Sequence, residues 1–287
     1  MAPPRIRRAT ALGLLVAAGR AGAQDDPCAC RTWDEIYATG KAVCGEGMEL
    51  FQITKRKDGL SLQEYAGLAP ALGFTFHEFC STFFMRMKNN YCVNIGMHPY
   101  GEKGWWTETW CYVSKECKQL NGGAVIRDKE LETQLPGFLS WARPVVNMFS
   151  PPKPVPRELA WKVCEKGKDK RLRDLPPMEI FDLADKMGSV IGYVTKISYV
   201  RLEPPKHTWD TVKDLVTKGD IANMPKPLQD AIAAEQPIVI DVDPEGHTHQ
   251  RIVHGKAVYE LNQACDMTGC FGGRQWPYKR ARDMGEL

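Results

Sequence analysis

The sequence predicts an α+β protein: a disulfide-framed N-terminal module followed by a smaller α+β domain. Three observations predict it. A leader directs the chain to an oxidising compartment, cysteines crowd the first half, and the second half mixes helix and strand periods without regular βαβ alternation.

The leader comes first. Arg5, Arg7 and Arg8 form a basic start, residues 11–18 are a short apolar run, and Ala21-Gly22-Ala23 is a small-residue cleavage site. Residues 1–23 therefore read as a signal peptide cut before Gln24. The run is shorter than the roughly 20 residues that cross a bilayer, and no later stretch is long and apolar enough, so no transmembrane segment is expected. The formal charge of +3 becomes −1 once the four leader arginines are removed. That balance takes away the electrostatic case for nucleic acid. The expected location is secreted, extracellular or the endomembrane lumen.

Ten cysteines are an even set, as full pairing requires. Cys28, Cys30, Cys44, Cys80, Cys92, Cys111, Cys117 and Cys164 form the first group, and their connectivity stays open. Cys28 and Cys30 are too close to favour each other and should reach different partners. Cys265 and Cys270 are expected to form a local bridge, with Gly269 permitting the turn. No Cys-x-x-Cys pair occurs, which argues against a zinc–thiolate site.

Within residues 24–164, Thr32 and Glu35 suggest a capping box that opens a helix through Val43, closed by Cys44-Gly45-Glu46-Gly47. Thr75 and Glu78 suggest another, with Phe76, Phe79, Cys80, Phe83, Phe84 and Met87 on one apolar face. Residues 91–95 and 110–113 read as strands, each carrying a cysteine. A weak helix is expected over 128–139. The run SPPKPVP (150–156) is an extended strap, because Cys164 lies beyond it and belongs to the first module.

Residues 165–287 form the second domain. A helix is expected over 177–187 with proline in its first turn. The alternating, β-branched run VIGYVTKISYV (190–200) reads as a strand. Trp209, Val212, Leu215 and Val216 mark a helix that Gly219 ends, and 228–235 forms a short one. Strands are expected at 238–242, 247–253 and 257–261. Residues 274–282 form a basic, aromatic tail, read as solvated rather than as a grip for anionic polymers or membrane surfaces.

Two constellations can carry function. Asp241 and Asp243 share one strand face, and His247 and His249 share another, with His254 nearby. Two carboxylates meeting two imidazoles would suit a divalent metal or an acid–base pair. Convergence is expected only for a turn centred on Pro244-Glu245. Against it stands an ordinary solvated hairpin, in which the histidines bind no metal. Trp105, Trp106 and Trp110, with Tyr100 and Tyr112, form an aromatic cluster that could stack on sugar rings or on a partner's apolar patch. Against that stands the core of a small disulfide domain.

The runs Cys28-Ala-Cys30, Cys44-Gly-Glu-Gly, Phe79-Cys80, Cys92-Val-Asn, Trp110-Cys111-Tyr-Val-Ser, Cys117, Leu120-Asn-Gly-Gly and Trp161-Lys-Val-Cys164 resemble secreted cysteine-rich proteins of dinoflagellate algae. The resemblance covers about half the chain. It implies an eight-cysteine module and supplies no activity or binding residues. Trp110-Cys111-Tyr112 is also similar to the Trp-Cys-Tyr of kringle and fibronectin type II modules, but the surrounding cysteine spacing departs from both.

The sequence thus favours a secreted or luminal binding protein for a glycan or protein partner, with no cofactor expected. A metal-dependent hydrolase centred on Asp241, Asp243, His247 and His249 is the runner-up. A structural subunit of an assembly is the third class.

Overall fold

A computed structural model describes residues 26–42, 44, 45, 47–49, 80–97, 107–126, 128–130, 154–202, 206–242, 249–262, 265, 266, 269, 270 and 279–281. Residues 1–23 (read above as a leader), Thr75 to Phe79, Tyr100, Trp105, Trp106, Asp243 and His247 lie outside these residues. The fold is α+β with a disulfide-rich N-terminal module.

That module is built around Trp33. Its indole donates to the Tyr91 carbonyl at 2.7 Å, and its ring meets Phe84 and Trp110 at 5.0 Å and Tyr112 at 5.6 Å. Trp33 opens α1 (Trp33–Ala38), which is shorter than expected. The Thr32 side chain makes no capping bond. The Thr39 hydroxyl donates to the Glu35 and Ile36 carbonyls, and Gly40 takes a left-handed φ of 69°, so the chain leaves the helix there.

Cys80, Phe83, Phe84 and Met87 are fully buried, as their spacing requires. The described part of that segment is π-helical at Cys80 and Ser81 and then tightens to a 3-10 turn at Phe84–Arg86. The three-stranded sheet then forms from β1 (Val93–Asn94), β2 (Thr109–Ser114) and β5 (Leu159–Val163), all antiparallel. Within 128–139, the described backbone forms β3 (Lys129–Glu130) instead of a helix. It pairs with β4 (Pro154–Val155), so the end of the proline run does return to the module.

Disulfides hold these pieces. Cys28–Cys117 and Cys30–Cys111 tie the N-terminal arm along β2, where the Arg31 amide donates to Tyr112 and the Ser114 amide to Pro27. Cys44–Cys80 pins the segment after α1 to the aromatic turns, and Cys92–Cys164 joins the two outer strands' flanks. Cys28 and Cys30 therefore reach different partners, and the described cysteines whose side chains are placed are all paired.

The second half begins with α2 (Pro177–Met187), which has proline at its first position and Gly188 at a left-handed φ of 64° as its stop. The expected strand over 190–200 is instead α3 (Ile191–Ser198), followed by a short β6 (Val200–Arg201). Ile191, Val194 and Ile197 satisfy a helical period while Ile191, Tyr193 and Ile197 satisfy a strand one, and burial on nearly all sides removes the amphipathic contrast. The helix closes its own backbone hydrogen bonds. The Thr195 and Ser198 hydroxyls donate back to Gly192 and Val194 at 3.0 and 2.6 Å.

Next come α4 (Trp209–Lys218), ended by Gly219 at φ 67°, and α5 (Lys226–Ala233). They lead to β7 (Ile238–Asp241), β8 (His249–His254) and β9 (Ala257–Asn262). β10 (Cys265–Asp266) and β11 (Gly269–Cys270) pair with Cys265 directly opposite Cys270. The backbone of β12 (Lys279–Ala281), inside the expected solvated tail, runs along β9 as an edge strand.

The five-stranded sheet has the order β12-β9-β8-β7-β6, with β6 parallel to β7 and the other pairs antiparallel. Its faces go to different cores. Val239, Ile252 and Tyr259 align across three strands and join a cluster that runs from Trp33 and Trp110 through Phe181. Ile238, Val253 and Val258 align on the other face beneath Val212 and Val216 of α4 and Leu228 of α5. Apolar packing thus crosses the boundary expected at Cys164. Asn94 reinforces the seam by donating to the Tyr199 carbonyl at 2.8 Å, as Arg86 does to Met187 at 2.8 Å.

Candidate functional site

The structure separates the residues of the expected metal hairpin. Asp241 is fully buried and is paired with the Arg201 guanidinium and, at 3.1 Å, with the Lys196 ammonium. Across the ladder it stands opposite Gln250. Partners across an antiparallel pair share a face, so odd positions on β7 face even positions on β8. A reversal centred on Pro244-Glu245 has the same parity, so that condition does not bring the histidines to Asp241. His249 is exposed, on the opposite face from Asp241. Gln250 fixes the arrangement by accepting from the Thr195 hydroxyl at 2.8 Å and donating to the Gly192 carbonyl at 3.1 Å. A metal at Asp241 would have to displace two cations that already balance it.

The tryptophan expectation is also corrected for its described member. Trp110 is fully buried, with its ring 5.0 Å from those of both Trp33 and Tyr112 and 6.4 Å from Trp161. Its place on the central strand β2 puts it in the core, where no ligand stacks on it.

Beside Trp110 lies a buried acid that sequence reasoning missed. Glu49 accepts from the Tyr37 hydroxyl at 2.7 Å, the Tyr112 hydroxyl at 2.6 Å and the Gly47 amide at 2.9 Å. Burial pushes its carboxyl above the ordinary value, and the two tyrosine hydrogen bonds pull it partly back. It joins α1, the post-helix loop and β2 from within.

An open groove at the seam of the two halves gathers polar groups of both signs. It has a volume of about 240 Å³ and is lined by Lys166, Arg173, Asp174, Glu235, Gln236 and His254, among others. Lys166 stands on the turn after β5, where Gly167 takes a φ of 79°. Arg173 and Asp174 come from a 3-10 turn at Leu172–Asp174. That turn is held beside the disulfides because the Cys92 amide donates to Lys170 and the Leu172 amide to Cys92. Glu235 takes a φ of 50° in the link from α5 to β7. His254 ends β8, with its Nε2 3.2 Å from the Glu235 carbonyl oxygen.

Arg173 is the distinctive member. Its guanidinium donates to Asn94 Oδ1 at 2.5 Å and to the Thr107 carbonyl, while its buried Nε finds no acceptor among the described residues. Burial lowers it to about 10, with the Arg171 charge adding to that and Glu108 and Asp174 opposing it. It is still cationic at neutral pH. Asp174 is clamped by Arg171 through two contacts, at 2.7 and 2.5 Å. The groove can therefore meet an anionic group with Arg173, Lys166 and His254, and hydroxyls with Glu235 and Gln236. The sequence carried no signal for this beyond the charged run 165–174, which by itself reads as a solvated connector.

Compared with known proteins, the chain matches no family model, no curated protein and no solved structure.

Proposed function

We propose that this chain is a secreted or luminal binding protein whose groove at the seam takes the acidic end of a glycan, a uronic acid or sulfated sugar. The observation that carries the reading is the grouping of Arg173, Lys166 and His254 with the acceptors Glu235 and Gln236 around one groove. Buried guanidinium charge favours a carboxylate or sulfate, and the flanking acceptors suit sugar hydroxyls. Four disulfides in the N-terminal module support an oxidising compartment and hold one wall of the groove rigid. Among the described residues, no helix is long and apolar enough to cross a membrane. Binding is favoured over turnover because the best acid of the hairpin, Asp241, is committed to two cations and His249 faces away from it.

The test is a panel of neutral, carboxylated and sulfated glycans presented to the full chain. Acidic glycans should bind. Lys166→Ala with His254→Ala should weaken them at least about tenfold, because each lost charge-assisted bond is worth about 1.5–3 kcal/mol. Binding restricted to neutral glycans, or indifferent to that double change, would sink the reading. Loss on Trp105→Ala or Trp106→Ala alone would move the site to those tryptophans.

A further inference from the structure

Two of the disulfides, Cys30–Cys111 and Cys92–Cys164, lie against each other. The Sγ atoms of Cys30 and Cys92 are 3.5 Å apart, and all four sulfurs lie within 4.8 Å of one another. The cysteines come from four separate segments: the N-terminal arm, the residue before β1, strand β2 and the residue after β5. No short spacing in the sequence signals this cluster, and the missing Cys-x-x-Cys pair says nothing about it.

We propose that the cluster is a redox-gated metal site: two disulfides when oxidised, and a tetrathiolate for Zn²⁺ when reduced. Tetrahedral zinc–thiolate bonds of about 2.3 Å place the sulfurs about 3.8 Å apart. The sulfurs of different bridges already lie within 4.8 Å of one another, so forming the site requires only that each bonded pair open to the zinc-bound separation once its bridge is broken. The backbone of Cys92, Cys111 and Cys164 is fixed independently of the bridges. The Cys92 amide donates to the Lys170 carbonyl at 2.8 Å, the Cys164 amide donates to Thr109 at 2.8 Å, and Cys111 sits in the β2–β5 ladder opposite Lys162.

Entry is through Cys30, which is half-buried, whereas Cys92, Cys111 and Cys164 are buried. The reductant required is a dithiol. Its thiolate attacks Cys30 Sγ and forms a mixed disulfide, releasing Cys111 as thiolate. The second thiol of the reductant then closes its own disulfide and frees Cys30. One dithiol thus supplies two electrons per bridge, and a second dithiol opens Cys92–Cys164. Zn²⁺ then replaces the thiol protons, four in all if every cysteine is protonated, leaving a net charge of −2 on the cluster. Lys162 is buried beside it and pairs at 2.7 Å with Asp169, whose carboxylate lies 4.0 Å from Cys30 Sγ.

The experiment reads Co²⁺, a coloured stand-in for zinc, on the full chain. The protein is reduced with excess dithiol, freed of reductant under anaerobic conditions and titrated. The expected result is about one Co²⁺ per chain, with the intense visible bands of tetrahedral thiolate, displaced by Zn²⁺ and absent from the oxidised protein. Cys92→Ser with Cys164→Ser should abolish the bands, while Cys28→Ser with Cys117→Ser should keep them. Retained bands in the first variant overturn the proposal. So does a reduced chain that takes up no stoichiometric metal, including one that unfolds and is not restored by Zn²⁺.

Discussion

Asp241 and Arg201 form an ion pair inside the protein, at the junction of β7 and the parallel strand β6, with both side chains almost wholly excluded from water. Lys196, from α3, completes a triad at 3.1 Å from the same carboxylate. The triad joins a helix to two strands, and it explains why an aspartate ends an otherwise apolar strand.

Asp241→Ala should therefore lower stability by about 3–5 kcal/mol, because two cations lose their buried counter-charge. His249→Ala, one position from Gln250 yet on the exposed face, should change it by under about 0.5 kcal/mol. Urea denaturation of both variants checks the contrast. Comparable losses would show that the sheet register given by Asp241 and Gln250 is wrong.

Much of the second half was readable because its helix ends carry their own chemistry. Pro177 and Gly188 bound α2, and Gly219 stops α4, through local φ preferences alone. The residues that fill α3 satisfy two periods at once, and only packing between α2 and the sheet decided for helix. Cysteine parity foretold the pairing of the eight N-terminal cysteines but not their partners, since pairing follows which strands come together. The groove was illegible for a similar reason. Arg173 is made distinctive by Asn94 and Thr107, which are distant in sequence, and Glu49 by Tyr37 and Tyr112.

Gly123 should not tolerate a side chain. A Cβ there would collide with the Trp161 carbonyl oxygen and lie 2.8 Å from the Lys162 and Trp161 backbone. The strand β5 cannot retreat, since Trp161 and Val163 donate to Ala124 and Leu120 on the same segment. Gly123→Ala should cost at least about 1–3 kcal/mol, as overpacking against fixed backbone does. A thermal midpoint equal to that of the parent protein would contradict this close approach.

The backbone of β10 and β11 sets Cys265 opposite Cys270 in an antiparallel pair. Directly opposite positions have Cα atoms about 4.5–5.5 Å apart, within the range a disulfide bridges. Proteolysis of the unreduced protein should release these two cysteines as one linked peptide. A fragment joining either to the N-terminal eight would refute the local bridge.

Glu49 gives the fold a distinctive pH dependence. Its carboxyl is held above the ordinary value of 4.5, chiefly by burial. The folded state therefore binds that proton more tightly than the unfolded chain does. Its contribution is fully present below about pH 4.5 and is lost as pH rises through the higher folded value. At neutral pH the buried carboxylate then costs stability, partly offset by the Tyr37 and Tyr112 hydroxyls. Glu49→Gln removes the titration, so the fall in unfolding free energy over that window should flatten. Tyr37→Phe removes a hydrogen bond that lowers the value, and should extend the fall to higher pH. Denaturant midpoints for the three proteins, measured in steps upward from about pH 4, decide it. An unchanged slope in Glu49→Gln would show that Glu49 titrates as a solvated carboxylate and that the Tyr37–Glu49–Tyr112 cluster is not sealed.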